Sequence, residues 1–233
     1  MKPQALTQPL SLRRLVLAAA IPLVLGALCP TQAMASVVRG AVSAATSMGT
    51  GSGSLDNLIN QSGLSSAYTS GVTDFVTYAA ATTHDSSEAS NAWSSAEGNT
   101  RGWVVFDFGT LVTLNGLVLW NLRTSAPATL RGFNLYTDAD ADFTNGVGAL
   151  LGSFAPPNEG LSPVPSRIFD FGVVTTRYLE MEITTNNGGQ FATVTGFGEI
   201  AFSELAEAVP EPGVLALLGI GLGGLASSRR RRT

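Results

Sequence analysis

Between residues 102 and 205 the chain is a series of short apolar runs separated by turn residues. In Gly102–Gly109, GWVVFDFG, the side chains Val104, Phe106 and Phe108 fall on one face, and Trp103 and Val105 on the other. In RYLEMEIT, from Arg177 to Thr184, Leu179, Met181 and Ile183 alternate with Tyr178, Glu180 and Glu182. A period of two is the mark of a half-buried antiparallel strand. LNGLVLWN, RGFNLYT, RIFDFGVV and FGEIAF supply further strands of similar length, with Gly, Asn, Ser and Thr between them. Short strands at this spacing predict an all-β sandwich or barrel. Only LDNLINQ, from Leu55 to Gln61, reads as helical, a single short helix in a connection. The chain shows no internal repeat.

The two ends follow a different pattern. Lys2, Arg13 and Arg14 precede an apolar stretch, Leu15 to Leu28, and Ala33-Met34-Ala35 forms an A-x-A cleavage site before Ser36. This arrangement predicts a signal peptide over residues 1–35, with Ala33 and Ala35 at the cut and the Sec export machinery as a partner. Cys29 invites a lipid anchor, but Leu28 places a bulky residue before it, and the A-x-A site is the preferred reading. At the other end, Val209-Pro210-Glu211-Pro212-Gly213 leads into Val214–Ala226 and then Arg229, Arg230, Arg231 and Arg232. Thirteen residues make a helix of about 20 Å against a hydrocarbon core of about 30 Å. Gly219, Gly221, Gly223 and Gly224 weaken it further. The arginines favour the cytoplasmic side. The expectation is a transient hold on the inner membrane, with a rigid Pro-Glu-Pro site just outside it.

Removing the ends changes the charge. Residues 36–208 carry 6 arginines, no lysine and 16 carboxylates, a net of −10, whereas the whole chain stands at −4. A domain of this sign has no electrostatic hold on nucleic acid or anionic lipid. Neutral ligands such as sugars, or cations such as calcium, remain. The only cysteine lies in the signal peptide, so the mature chain has no disulfide and no thiolate metal site.

Two resemblances follow from these residues. The Pro-Glu-Pro, apolar stretch and arginine cluster resemble the PEP-CTERM sorting signal of exported proteins in Gram-negative bacteria that make exopolysaccharide. This implies an exosortase-type processing enzyme as partner, and a destination in the cell envelope, on the outer surface or in the extracellular matrix. The middle is similar to discoidin, or coagulation-factor type C, domains. The residues carrying this are Asn91-Ala92-Trp93-Ser94, Gly102–Gly109, Leu117–Asn121, Arg131–Tyr136, Arg177–Glu180 and Gly198–Phe202. That resemblance implies a jelly-roll β-sandwich of the galactose-binding-like type over 36–208. It would stand between a signal helix and a short C-terminal hydrophobic helix, within the tail at 209–233. It also implies loops at one end that bind sugars, lipids or proteins, and a structural calcium between Asp85 and Glu199. The paired cysteines common in animal members are missing here.

Candidate chemistry is sparse. His84, the only histidine, lies in THDSSE and reads as a solvated loop residue; no G-x-S-x-G elbow accompanies it. Asp138-Ala139-Asp140-Ala141-Asp142 has the alternate spacing of a calcium loop, but Phe143 and Ala149 occupy the glycine and glutamate positions of an EF-hand. An acidic hairpin tip is the preferred reading. Trp103 and Trp120, inside strand patterns, read as core; Trp93, nearer a loop, stays open as a ligand-binding platform. The expected function is an exported, non-catalytic surface or matrix protein that binds polysaccharide, with exopolysaccharide as the candidate partner. A purely structural or adhesive protein that binds protein or itself is the alternative, and a secreted hydrolase the third.

Overall fold

A computed structural model of the protein describes residues 35–85, 90–122, 127–142, 144–158 and 162–206. The expected signal peptide apart from Ala35, the sorting motif Pro210-Glu211-Pro212, the expected hydrophobic helix that follows it and the cluster Arg229–Arg232 lie outside the described residues. Among the described residues no helix is long and apolar enough to cross a membrane.

Two strands of 20 residues organise the domain: β6 (Gly102–Asn121) and β10 (Arg167–Asn186). They pair antiparallel along most of their length. Register shifts between Asp170 and Val174 and between Thr176 and Tyr178 bend them, so that one continuous sheet folds into two layers. The first layer contains β1 (Ser36–Arg39), β11 (Gly196–Leu205), the second half of β6 and the first half of β10. The second contains β2 (Ser43–Thr46), the first half of β6, the second half of β10, β7 (Leu130–Asp138) and β8 (Leu150–Phe154). Two short strands, β3 (Ser52–Gly53) and β5 (Trp93–Ser94), extend the β11 edge, while β4 (Thr83–His84) and β9 (Val164–Pro165) pair separately. This is the expected all-β sandwich.

The alternations read from sequence are the ones that fill it. Val104, Phe106, Leu179, Met181, Ile183, Phe133 and Leu135 from one layer meet Leu117, Leu119, Ile200 and Phe202 from the other. The ends of the domain meet too: Ser36 pairs with Leu205, and Arg39 grips Glu204 through two hydrogen bonds of 2.8 Å.

The outer faces of the layers differ. The first is covered by α1 (Phe75–Ala81), whose Phe75, Tyr78 and Ala79 pack on Val118, Trp120 and Ala201. Asp74 caps this helix by accepting the Thr77 amide at 2.8 Å. Sequence reading placed its helix instead at Leu55–Gln61. That segment holds only a 3-10 turn, Leu55–Leu58, capped by Ser54. The seven residues of α1 are too few to show a helical period among their threonines and alanines. On the second layer's outer face Trp103, Asn134, Tyr136, Glu182 and Ser153 stay at least partly exposed, although Val105 and Glu180 are buried there.

Candidate functional site

The open face of the second layer carries an ordered polar and aromatic row. Trp103 of β6 stands opposite Glu182 of β10, Glu182 opposite Asn134 of β7, and Asn134 opposite Ser153 of β8. Because each strand alternates, apolar neighbours in the sequence turn inward and these four turn outward. Asn134 donates its amide to Glu182 Oε2 at 2.7 Å, and Ser153 donates its hydroxyl to Asn134 Oδ1 at 2.6 Å. Tyr136, one outward position along β7, reaches Glu182 Oε2 at 3.3 Å and leans on Trp103, with ring centroids 5.7 Å apart and planes at 53°. All five side chains are partly exposed or better. The result is an aromatic pair beside a carboxylate, an amide and a hydroxyl, each fixed by its neighbours. Such a surface offers a stacking face and bidentate hydrogen-bonding groups to a polyhydroxylated ligand.

Trp103 was expected in the core, and its exposure corrects that expectation. Its pattern neighbour Val104 takes the inward position, and a residue one place away must face the other side. Trp120 is buried as expected, though under α1 rather than between the layers, and donates its indole N–H to the Thr82 carbonyl at 3.0 Å. Trp93, the candidate platform, is 0% exposed. It packs edge-on against Phe197 and donates to Thr50 Oγ1 at 3.1 Å. Its strand is only two residues long, but pairing with β11 draws it inside. Gly196 is what allows so close an approach, since a Cβ there would stand 2.2 Å from the Trp93 carbonyl oxygen.

His84 also departs from expectation. It is 0% exposed and belongs to β4, where it bridges to Leu64. Neither ring nitrogen closes a hydrogen bond of good geometry, although the Ser62 backbone stands beside the ring. Burial pushes its pKa down to about 4, so the ring is neutral at physiological pH. A histidine enclosed in this way, against Gly63 and Gly198, has no route to activate a serine.

Glu199 lies on the same covered face, paired with Trp120. It is 0% exposed; its Oε2 accepts the Gln61 amide at 3.0 Å, and its Oε1 has no partner among the described residues. Gln61 turns toward it from a left-handed backbone, φ 66°. Desolvation pushes the carboxyl up to about 9. An orphaned buried oxygen of this kind suits a hard cation. Asp85, the other residue assigned to calcium, is exposed; its amide donates to the Gly63 carbonyl at 2.8 Å, and its charge acts on His84. Glu199 thus has an oxygen free for a cation, whereas Asp85 is exposed. Among the described residues no three His, Cys, Asp or Glu side chains converge on one metal position.

Comparison with known proteins returns no curated relative. Solved structures resemble the chain at low identity. The CBM32 of AlyQ, in complex with 4,5-unsaturated mannuronic acid, is 17% identical with a TM-score of 0.44, over 71% of this chain and 97% of that one. A fragment of a putative chitobiase from Bacteroides thetaiotaomicron is 15% identical with a TM-score of 0.45, over 75% and 92%. The family 32 CBM of Clostridium perfringens NanJ, in complex with galactose, is 12% identical with a TM-score of 0.38, over 49% and 77%. The architecture described above rests on the chain's own strand order and register. Residues 208–232 match the PEP-CTERM protein-sorting motif, and the chain carries that sorting signal at its C-terminus.

Proposed function

We propose that this is an exported, non-catalytic protein of the cell envelope or extracellular matrix that binds a neutral polysaccharide along the row from Trp103 to Ser153. The observation that carries the reading is the partly exposed Trp103–Tyr136 pair beside Glu182, Asn134 and Ser153, on a sheet face that leaves all five side chains at least partly accessible. The sorting motif supports the destination. The net charge of −10 over residues 36–208 disfavours anionic polymers. A sugar chain laid across four strands would stack on Trp103 and exchange hydroxyls with the carboxylate and amide. A structural calcium at Glu199, completed by backbone oxygens, would tie the loop carrying Gln61 to β11.

The test is retention of the protein on immobilised neutral glycans and on the producer's own exopolysaccharide. Trp103→Ala is expected to cut retention about tenfold or more while changing stability by only about 1 kcal/mol. Equal retention of the variant, or none of the wild type on any glycan, would sink the assignment. The processing reading has its own measurement. Replacing Pro210, Glu211 and Pro212 together by alanine is expected to leave the tail uncut, seen as a larger intact mass than that of the wild-type mature protein; an unchanged mass would count against it.

An adhesive, self-binding protein is the second reading. It draws on exposed Val42 and Leu111, 67% and 73% accessible, which flank Gly109 at the bend of β6. A hydrolase has less in its favour. The carboxylate with the pKa nearest neutrality, Glu180, has both oxygens shut off from solvent and no access to a scissile bond.

A further inference from the structure

Glu180 occupies the middle of β10, on the face opposite the core residues Leu179 and Met181, in register with Val105 of β6 and Tyr136 of β7. It is 0% exposed, and among the described residues neither of its carboxylate oxygens receives a hydrogen bond from a nitrogen or hydroxyl donor, although its carboxyl lies within hydrogen-bonding reach of that of Asp138. Asp138, the next outward position after Tyr136, faces it in a similar condition. Its Oδ1 accepts the Ala139 amide, and its Oδ2 is buried with no nitrogen or hydroxyl donor among the described residues. The charges of Asp138, Asp140 and Asp142 all act on Glu180. The cation nearest in the strand pattern, Arg177, is held by Asp107 through bonds of 2.8 and 2.9 Å.

Leaving a carboxylate buried beside a second one, without nitrogen or hydroxyl donors, disfavours the doubly charged state. A proton or a metal ion must offset that charge. The two carboxyls are within hydrogen-bonding reach of each other, so one proton can be shared between them while the second charge stays unneutralised. A hard dication would complete the neutralisation. The available donors are all oxygens, which excludes a preference for soft metals.

We propose that Glu180 and Asp138 hold a calcium ion at the edge of the exposed sheet face, with Asp140 and Asp142 adding negative potential from the hairpin tip. Two carboxylates supply the side-chain ligands, and backbone oxygens and water supply the rest. Calcium accepts six to eight oxygens in irregular geometry, whereas magnesium demands a near-ideal octahedron. The site is not an EF-hand. Asp140 is already engaged by the amide of Asp142 and by Asn145, and Asp142 by Thr144. The missing glutamate comes not from position 149 but from β10, brought over by strand register. The assignment is independent of the glycan reading and of Glu199.

Calorimetric titration of the full-length chain, kept in mild detergent and stripped with a chelator, tests it with CaCl2 and with MgCl2. The wild type is expected to show a calcium-binding component that Glu180→Gln abolishes, that Asp138→Asn weakens about tenfold or more, and that Glu199→Gln leaves in place. In chelator, Glu180→Gln should melt at or above the wild-type temperature, because it removes a buried unpaired charge; folding is thus preserved. A wild-type titration without calcium binding, or one that Glu180→Gln leaves unchanged, would overturn the proposal. Magnesium binding there as tightly as calcium would overturn the choice of ion.

Discussion

Trp93→Ala is expected to lower the stability of the domain by about 3–5 kcal/mol, the usual cost of emptying a large buried aromatic site. The indole is 0% exposed, and its edge-on contact with Phe197 joins β5 to the core. Its N–H also holds Thr50, in the segment leading to β3. Truncation therefore opens a cavity, removes the aromatic contact and leaves the Thr50 hydroxyl without its donor. Thermal or urea unfolding measures the effect, and glycan retention of the fraction that remains folded should be unaffected. Loss of retention at full stability would instead make Trp93 the ligand-binding residue. The contrast with Trp103→Ala separates the two tryptophans: one supports the fold, the other the surface.

In chelator, stability is expected to fall by several kcal/mol between about pH 5 and pH 9. The folded-state pKa of Glu199 is raised from 4.5 to about 9, and that of Glu180 from 4.5 to about 7. Between the unfolded and folded values the native state holds a proton that the unfolded chain releases, so stability declines as pH rises, by about 1.4 kcal/mol per unit for each group. The contribution is fully present below about pH 4.5 and lost by about pH 9. His84 acts in the opposite sense. Its folded pKa is depressed from 6.5 to about 4, so its contribution grows as pH rises across that interval. It cancels one carboxyl up to about pH 6.5, and the steepest net fall therefore comes just above, where both carboxyls still titrate. Melting temperatures measured from pH 5 to 9 check this. Glu199→Gln should flatten the decline up to pH 9 and Glu180→Gln the part below pH 7, and added calcium should remove both. A flat profile in chelator would contradict the burial of either charge.

Much of the core was legible because a strand's period of two is a local property. Val104, Phe106 and Phe108, and Leu179, Met181 and Ile183, turn inward as their spacing requires. The candidate site was less legible. Trp103 lies in the same run as Val104, and alternation alone says that they face opposite ways, not which face will be covered. Glu180 and Asp138 are 42 positions apart in sequence, so a search of the linear Asp138–Asp142 window finds the tip without its buried partner. His84 looked solvated because its neighbours are polar, yet β9 and the Leu64 segment bring it inside.

By itself the sequence determined the C-terminal sorting signal, the strand-rich class, the acidic lysine-free character of residues 36–208 and the inward side of the main strands. These depend on local composition and spacing, which processing machinery and backbone geometry read directly. The tertiary structure alone decided which outer face is sealed and which tryptophan meets solvent. It also decided which carboxylates are buried with oxygens that no nitrogen or hydroxyl donor reaches among the described residues. The bends of β6 and β10 divide one sheet into two layers, and α1 covers only the first. Exposure is thus a property of what packs over a residue, and for Trp93 and Glu199 the segments that reach them, at Thr50 and Gln61, lie far away along the chain.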